Sequence, residues 1–353
     1  MAKRKLYIDI DVLTEAKKRI HHIFDTFDSV AVMFSGGKDS LVVLHLAHEV
    51  MLERGDTKKL NVVFRDEELI PDEVINFVDK YRQMDWINMI WYCVPLQSNK
   101  YILGVSRSYV QWDKHREWVR ELPAWATILD KDDDRVFDQY TMDAFTAKNF
   151  KGKIAFLTGI RASESIMRFR ASVNKLNENY INEVVDAPTV RLCKPIFDWE
   201  ENDVFKYFYD NSIEYCKHYD MQLYAGNSLR VSTPLHAESA KRFDRIRKTT
   251  PDFYERIIKI FPEMLVQERY YSQVDRNSIR DKYGSSYEDV WAWITENIDD
   301  PKQIALATKR FKQTMIAVQT KPENYPPRYV LNQFMSGAFK RNINPQKNDN
   351  TSK

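Results

Sequence analysis

The segment VAVMFSGGKDSLVVLHLAHEV, residues 30–50, sets two adjacent glycines between two apolar runs, in a chain with only 9 glycines among 353 residues. Val30–Phe34 is short, apolar and β-branched, the pattern of a buried strand. Leu41–Val50 carries its apolar residues at helical spacing, so the chain passes from strand to helix over residues 35–40. Paired glycines there reach backbone angles closed to other residues and let a ligand approach the main chain. The helix that follows offers unpaired N–H groups and the positive end of its dipole. That combination is an anion site, most often one for phosphate. Lys38, Asp39 and the flanking hydroxyls of Ser35 and Ser40 accompany the glycines, more than a plain strand-to-helix turn requires. The spacing is not the Walker pattern, which needs four residues between its glycines and a Lys-Ser/Thr pair after them.

Further strands are expected at Leu60–Phe64, Ile87–Val94 and Lys153–Leu157, and helices at Val12–Phe27, from Pro71 to about Tyr81, near 136–149 and from about Ser163. Strands alternating with helices imply an α/β class, a doubly wound and mainly parallel sheet. Ligands of such sheets gather at the carboxyl ends of the strands. Three segments fall there, 35–40, 65–68 and 159–168. From 236 onward only helices are expected, near 236–249, 252–260, 286–297 and 301–319. The expected organisation is a nucleotide-binding domain over 1–235 with an insertion at 107–150, a helical C-terminal module over 236–340, and a polar, disordered tail at 341–353.

A hydrophobic fraction of 43% and a charged fraction of 29% are those of a soluble globular protein. No apolar run reaches the length of a membrane span, and MAKRKLYIDI lacks the apolar core of a signal peptide. A cytoplasmic location without membrane association is the expectation. Cys93, Cys193 and Cys216 offer neither a disulfide framework nor a CxxC pair. With a net charge of +2, any nucleic-acid partner must be recognised by local patches.

Asp66, at the end of the second strand, can accept from a ribose or an adenine amine, or hold Mg²⁺ beside phosphates; acidity ahead of a helix start explains the same residues. In TGIRASESIMR, 158–168, a strand end and Gly159 lead into Arg161 and Arg168 around the first turns of a helix. Guanidinium forks there suit phosphate or sulfate oxygens. Ser163 is the expected helix cap, and Glu164 orients one of the arginines. The mix of Trp112, Lys114, His115, Arg116, Trp118 and Arg120 can stack and clamp a base or a flexible strand, or equally form a packed insertion over the site. Arg242, Arg245, Arg247 and Lys248 form a basic cluster in which helical spacing puts several on one face, a phosphate-backbone contact weighed against an ordinary solvated face. His45 and His48 have no metal-ligand pattern around them and are read as structural.

The 35–40 loop resembles the SGGxDS loop of the PP-loop superfamily, which includes the ATP pyrophosphatases, the sulfonucleotide (PAPS) reductases and the small subunit of ATP sulfurylase. Residues 158–168 resemble the G-x-R-x-x-E-S-x-x-R element of the PAPS reductase family, and CKPIFDWEENDVF, 193–205, its Pro-Ile-x-x-Trp segment. YCVPLQSNKY (92–101) and QWDKHREWVRELP (111–123) are similar to the subfamily typified by the immunoglobulin-binding regulator A proteins, whose genes commonly lie beside that of a ParB-like partner. Together these similarities span about residues 28–235.

The resemblance implies an adenine nucleotide alpha hydrolase-like fold that binds ATP or a PAPS-like nucleotide. Ser35, Gly36, Gly37, Lys38, Asp39, Ser40, Gly159, Arg161 and Glu164 would surround the phosphates, with Asp66 at the nucleoside and Asp39 as a Mg²⁺ ligand. Lys38, Asp39, Arg161 and Arg168 would be catalytic. Trp112, Arg116, Trp118, Arg120, Arg242 and Arg245 would meet an acceptor or nucleic acid. The expected reaction is cleavage of the α–β phosphate bond of ATP, as a pyrophosphatase or by adenylyl transfer to nucleic acid or a partner protein. One alternative is a nucleotide-sensing regulatory subunit acting with a ParB-like partner; another is sulfonucleotide reduction. The chain departs from the reductases in lacking the Thr-Gly that follows the aspartate at the second strand. It also lacks the C-terminal Glu-Cys-Gly-Leu-His element, since no cysteine follows Cys216. Three scattered cysteines cannot supply the usual iron–sulfur ligand set, so no cluster is expected.

Overall fold

The computed structural model of the chain describes residues 8–165, 168–170, 179–184, 187–226, 229–271 and 276–346. Within them the chain forms two compact units. The first holds the residues up to Ser98, Val110–Thr233 and Arg247–Arg256; the second holds Asn99–Tyr109, Pro234–Ile246 and the residues from Ile257 on. One change of unit falls at 233–234. The excursions at 99–109 and 247–256 have no counterpart in the expected organisation.

The first unit is built on six strands: β1 Ser29–Met33, β2 Leu60–Arg65, β3 Ile87–Tyr92, β6 Ile154–Leu157, β7 Ile181–Glu183 and β8 Val190–Cys193. Their order is β3-β2-β1-β6-β8-β7, parallel throughout except at the β7 edge, which runs antiparallel to β8. Alternation along each strand sends side chains to opposite faces. Val30, Val32, Val62, Phe64, Ala155 and Leu157 join one core, whereas Ala31, Val63, Ile154 and Phe156 join another. Helices α1 Val12–Thr26, α2 Lys38–Glu53 and α3 Asp72–Arg82 cover the first face, and α4 Gln139–Ala147 covers the second. A sheet with both faces covered reads as continuous apolar runs, and these strands do. The expected doubly wound α/β architecture is therefore present.

Between β3 and α4 the chain forms a separate two-stranded sheet of β4 Leu96–Ile102 and β5 Val105–Gln111. Its composition, with Asn99, Lys100 and Arg107 among the strand residues, hides it from hydropathy. Helix α5 Glu201–Asp210 starts in a capping box between Glu200 and Asp203, and the short α6 His218–Tyr224 follows.

The second unit is helical in its described C-terminal part. Tyr287–Asn297 and Pro301–Thr320 match the expected helices, whereas Met264–Tyr270, Arg276–Tyr283 and Pro327–Met335 were not expected. Val290, Trp293, Ile294, Val330, Leu331 and Phe334 form its core. Pro327 opens its helix, because proline suits a first helical turn. Part of the tail expected to be disordered is tied down: the Gln346 N–H donates to the Asn324 carbonyl at 2.8 Å, and the Tyr329 hydroxyl donates to that of Asn344 at 2.8 Å. The rest of that tail, from 347, lies outside the described residues.

Candidate functional site

The strand order reverses at β1: β2 lies on one side of it and β6 on the other. The loops that leave the carboxyl ends of β1 and β6 therefore diverge from neighbouring points, and the crevice between them is where open α/β sheets bind ligands. The first loop is 34–38 and the second is 158–165, so the two strongest sequence signals meet here.

Gly36 has φ +74°, and a Cβ on it would come within 2.8 Å of Val74 Cγ1 and Val78 Cγ2, so both conformation and space require glycine. Ser35 Oγ and Ser40 Oγ lie 3.1 Å apart, and the Ser40 hydroxyl donates to the Gly37 carbonyl at 2.9 Å, which closes the loop on itself. The Lys38 N–H donates to the Tyr219 hydroxyl at 2.7 Å. Gly37 offers no side-chain cap. The N–H groups of Gly36, Asp39 and Ser40 have no partner among the described residues. Three unmet donors at the start of a sixteen-residue helix form a cradle for an oxyanion.

Lys38 is 3% exposed. Its ammonium lies 3.2 Å from Asp39 Oδ2, 3.3 Å from Glu201 Oε2 and 3.0 Å from the Leu229 carbonyl, over the Tyr219 ring. Burial pushes the Tyr219 phenol upward, so it stays neutral and serves as an acceptor for the helix start. Arg161, also buried, donates from Nε to Asp39 Oδ1 at 2.6 Å and from Nη1 to Ser163 Oγ at 3.2 Å. The Glu164 carboxylate accepts from the Arg161 N–H at 3.1 Å and pairs with Arg168. Burial, and then repulsion from Arg230, lower the pKa of Arg168.

Ser163 does not cap the helix. The chain first makes a single tight turn over Ala162–Glu164, and the Ser163 hydroxyl donates to the Trp199 carbonyl at 3.3 Å. Ser165 takes the capping role, accepting from the Arg168 N–H at 3.2 Å. Ile166 and Met167 lie outside the described residues. The 193–199 segment holds this turn in place: Phe197 accepts from the Ala162 N–H at 2.7 Å, and Asp198 is clamped by both terminal nitrogens of Arg19 at 2.8 and 2.7 Å.

Gly159 has a packing role that its place in a phosphate motif conceals. A Cβ there would sit 2.5 Å from the Ser40 N atom and closer still to the Asp39 carbonyl carbon, both main-chain atoms. Gly159→Ala must therefore lift the first turn of α2 off the strand end. The expected result is a stability loss of about 1–3 kcal/mol, the usual cost of overpacking, with a larger proportional loss of anion affinity. Denaturant melts and calorimetric titration of the variant with ATP measure both, and unchanged values would show that α2 does not rest on Gly159.

The 65–68 segment faces other partners. Asp66 accepts from the Trp91 indole at 2.8 Å and the Glu68 N–H at 2.9 Å, and it pairs with Arg120. Glu68, 0% exposed, receives both terminal nitrogens of Arg116 at 2.7 and 2.6 Å, the Trp112 N–H at 2.6 Å and the Val119 N–H at 2.9 Å. Trp112 is buried, and Arg120 lies over its ring at 4.9 Å; Trp118 is 36% exposed. Arg116, Arg120 and Trp112 thus bolt the 112–120 stretch to the end of β2. Arg242 is exposed and Arg245 half-buried, both in the second unit.

Among the described residues no group of three or more His, Cys, Asp or Glu is arranged to hold a metal ion. Each Asp39 oxygen already faces a cation, Arg161 or Lys38, so its carboxylate suits orienting those two groups and offers no uncommitted oxygen to Mg²⁺. All three thiols are buried. Burial raises the Cys93 pKa and raises that of Cys216 to about 11, so neither is a thiolate near neutral pH. No described helix is long and apolar enough to cross a membrane.

Sequence reasoning missed Tyr219, Glu201, the Leu229 carbonyl and Arg230. Glu201 carried a weak signal, lying within the 193–205 segment; the others sit in stretches with no periodicity or motif of their own.

A family model described as the phosphoadenosine phosphosulfate reductase domain matches residues 29–257. The chain is 30% identical over 245 residues to the uncharacterized protein YbdN of Escherichia coli (strain K12), covering 65% of this chain and 59% of that protein. It thus spans less than two thirds of that relative's length. Among solved structures, Candida glabrata FMN adenylyltransferase in complex with FAD and inorganic pyrophosphate aligns with a TM-score of 0.39 at 14% identity, over 59% of this chain and 58% of the other. The phosphate complex of phosphoadenylyl-sulfate reductase from Candida auris gives 0.36 at 14% identity, over 62% and 90%. The U34-tRNA thiolase NcsA of Methanococcus maripaludis gives 0.34 at 15% identity, over 74% and 82%.

Proposed function

The chain belongs to the phosphoadenosine phosphosulfate reductase domain family, and from that premise we propose that it cleaves the α–β phosphate bond of ATP and passes the adenylyl group to an acceptor. The observation that carries this reading is the set of N–H groups of Gly36, Asp39 and Ser40, unmet among the described residues, at the carboxyl end of β1, with Lys38 and Arg161 converging on the same turn. Those amides hold the pyrophosphate oxygens. An oxygen of the acceptor attacks the α-phosphorus, the bond from that phosphorus to the bridging oxygen breaks, the electron pair leaves with pyrophosphate, and a proton carried by the attacking oxygen passes to solvent. Lys38 offsets the charge that grows on the departing oxygens, a fixed charge in a water-poor setting. Asp39 keeps Lys38 and Arg161 in register, and Glu164 does the same for Arg161 and Arg168. With water as acceptor the second product is AMP.

The burial of all three thiols, which raises the pKa of Cys93 and Cys216, favours this chemistry over sulfonucleotide reduction, which requires a thiolate at the substrate sulfur. The test follows two labels. ATP labelled at the γ-phosphate yields labelled pyrophosphate, and ATP labelled at the α-phosphate yields AMP or a labelled acceptor. ADP and inorganic phosphate as sole products would overturn the proposal.

A further inference from the structure

The short helix α6 holds Lys38 at two points. The Tyr219 hydroxyl accepts the Lys38 main-chain N–H at 2.7 Å, and the Tyr219 ring lies 5.6 Å from the ammonium. The second hold is indirect and starts from Gln222, half-buried and one helical turn beyond His218. Gln222 Oε1 accepts the Arg230 N–H at 3.0 Å, and Gln222 Nε2 donates to the Arg230 carbonyl at 2.5 Å. The Arg230 N–H shares a peptide unit with the Leu229 carbonyl, which accepts from Lys38 Nζ at 3.0 Å. That unit is planar and trans, so its N–H and its C=O point in opposite directions. One rigid plate thus runs from the Gln222 amide to the Lys38 ammonium.

The amide has a single orientation. It must meet an N–H and a C=O of the same residue, which turns its oxygen to the first and its nitrogen to the second. The other Nε2 hydrogen faces His218 Nε2 at 3.0 Å, so that ring nitrogen accepts and the imidazole proton sits on Nδ1. Burial holds the His218 pKa down at about 4, and the ring is neutral near neutral pH. Both donors and the oxygen of Gln222 are therefore committed.

A lysine stem is flexible, and its ammonium stays in one place only where contacts fix it. Asp39 and Glu201 stand 3.2 and 3.3 Å from Lys38 Nζ, but Asp39 is shared with Arg161 and the Glu201 side chain is half-exposed. The Leu229 carbonyl is the shortest of the three contacts and the uncharged one, so it directs the ammonium without cancelling its charge. The Leu229 side chain packs on the core, which leaves the carbonyl free to turn about the backbone dihedrals; the bond at the Arg230 N–H stops that turn. We propose that Gln222 is a positioning residue for Lys38, acting through the peptide plane between Leu229 and Arg230. What Lys38 does to a departing oxygen rests on the adenylyl-transfer reading; the linkage itself rests on the bonds that run from Gln222 to Lys38.

Gln222→Met and Gln222→Leu remove the amide, keep the bulk and suit a helix. Using both guards against one that fails to fold, which loss of a cooperative thermal melt detects. In protein whose lysines carry ¹⁵N at Nζ, the Lys38 ammonium signal is assigned by its absence in Lys38→Ala. Its proton exchange with water is expected to run about three- to tenfold faster in either variant, the weight of one hydrogen bond. Pyrophosphate release is expected to slow by a similar factor, while KM for ATP moves by less than about twofold. On a Lys38→Ala background the same substitution changes the rate no further, as required of a residue that acts through Lys38. Ammonium exchange unchanged in a folded variant would overturn the linkage. So would a rate loss that adds in full to that of Lys38→Ala. If the parent releases no pyrophosphate, the adenylyl-transfer reading falls, and the exchange rates alone decide the linkage.

Discussion

Lys38→Ala is expected to lower the rate of pyrophosphate release by about 10²–10³-fold, the loss seen when one fixed donor is removed from a developing oxyanion. The size follows from its setting. Lys38 is 3% exposed and directed by Asp39, Glu201 and the Leu229 carbonyl, and a water filling the space left by Lys38→Ala would bring no fixed positive charge. Folding should survive, because Asp39 keeps Arg161 and Glu201 is half-exposed. Single-turnover measurements on labelled ATP separate the effects: the chemical step slows while ATP affinity, carried by main-chain amides, changes less. A fall of less than about threefold would remove Lys38 from the chemistry.

Glu68→Ala is expected to give the largest loss of stability, about 3–5 kcal/mol, the cost of leaving one partner of a buried ion pair alone. Arg116 is partly exposed, 20% at its side chain, which places the effect toward the lower figure. The carboxylate also accepts the Trp112 and Val119 N–H groups, and both would lose their partner. Glu68 and Trp112 themselves adopt left-handed backbone angles, φ 59° and 49°. Side chains resist that conformation by about 1–2 kcal/mol each, and the ring of hydrogen bonds offsets the strain. Urea midpoints read the stability, and limited proteolysis within 113–117 reads release of the insert. If neither changes, the insert is anchored by other contacts.

The sheet and the loop were legible in the sequence because burial on both faces writes strands as β-branched apolar runs, and because a glycine pair between strand and helix has few structural uses. Arg161 and Gly159 were legible by position, at the end of a strand. What Gly159 does was not, since its requirement comes from main-chain atoms of Asp39 and Ser40, far away in the chain. The β4–β5 sheet escaped because its strands carry Asn, Lys and Arg, and β7 and β8, at three and four residues, are too short for periodicity. Arg116 and Arg120 read equally well as nucleic-acid contacts or as packing, because a sequence cannot say whether an arginine will find a buried carboxylate. Tyr219 matters through its tertiary contact with Lys38, which leaves no pattern along a chain.

The placement of β1 against β6 has a kinetic side. Asp39 and Arg161 are 122 positions apart, and only pairing of those two central strands brings them face to face. Closing a loop of that span precedes any reward from the contact it creates, so such pairings form slowly. During synthesis the glycine turn emerges long before its arginine, and a ribosome-bound chain that has not yet delivered β6 holds half a pocket. Competence to bind therefore arrives late and all at once, when the middle of the sheet zips shut.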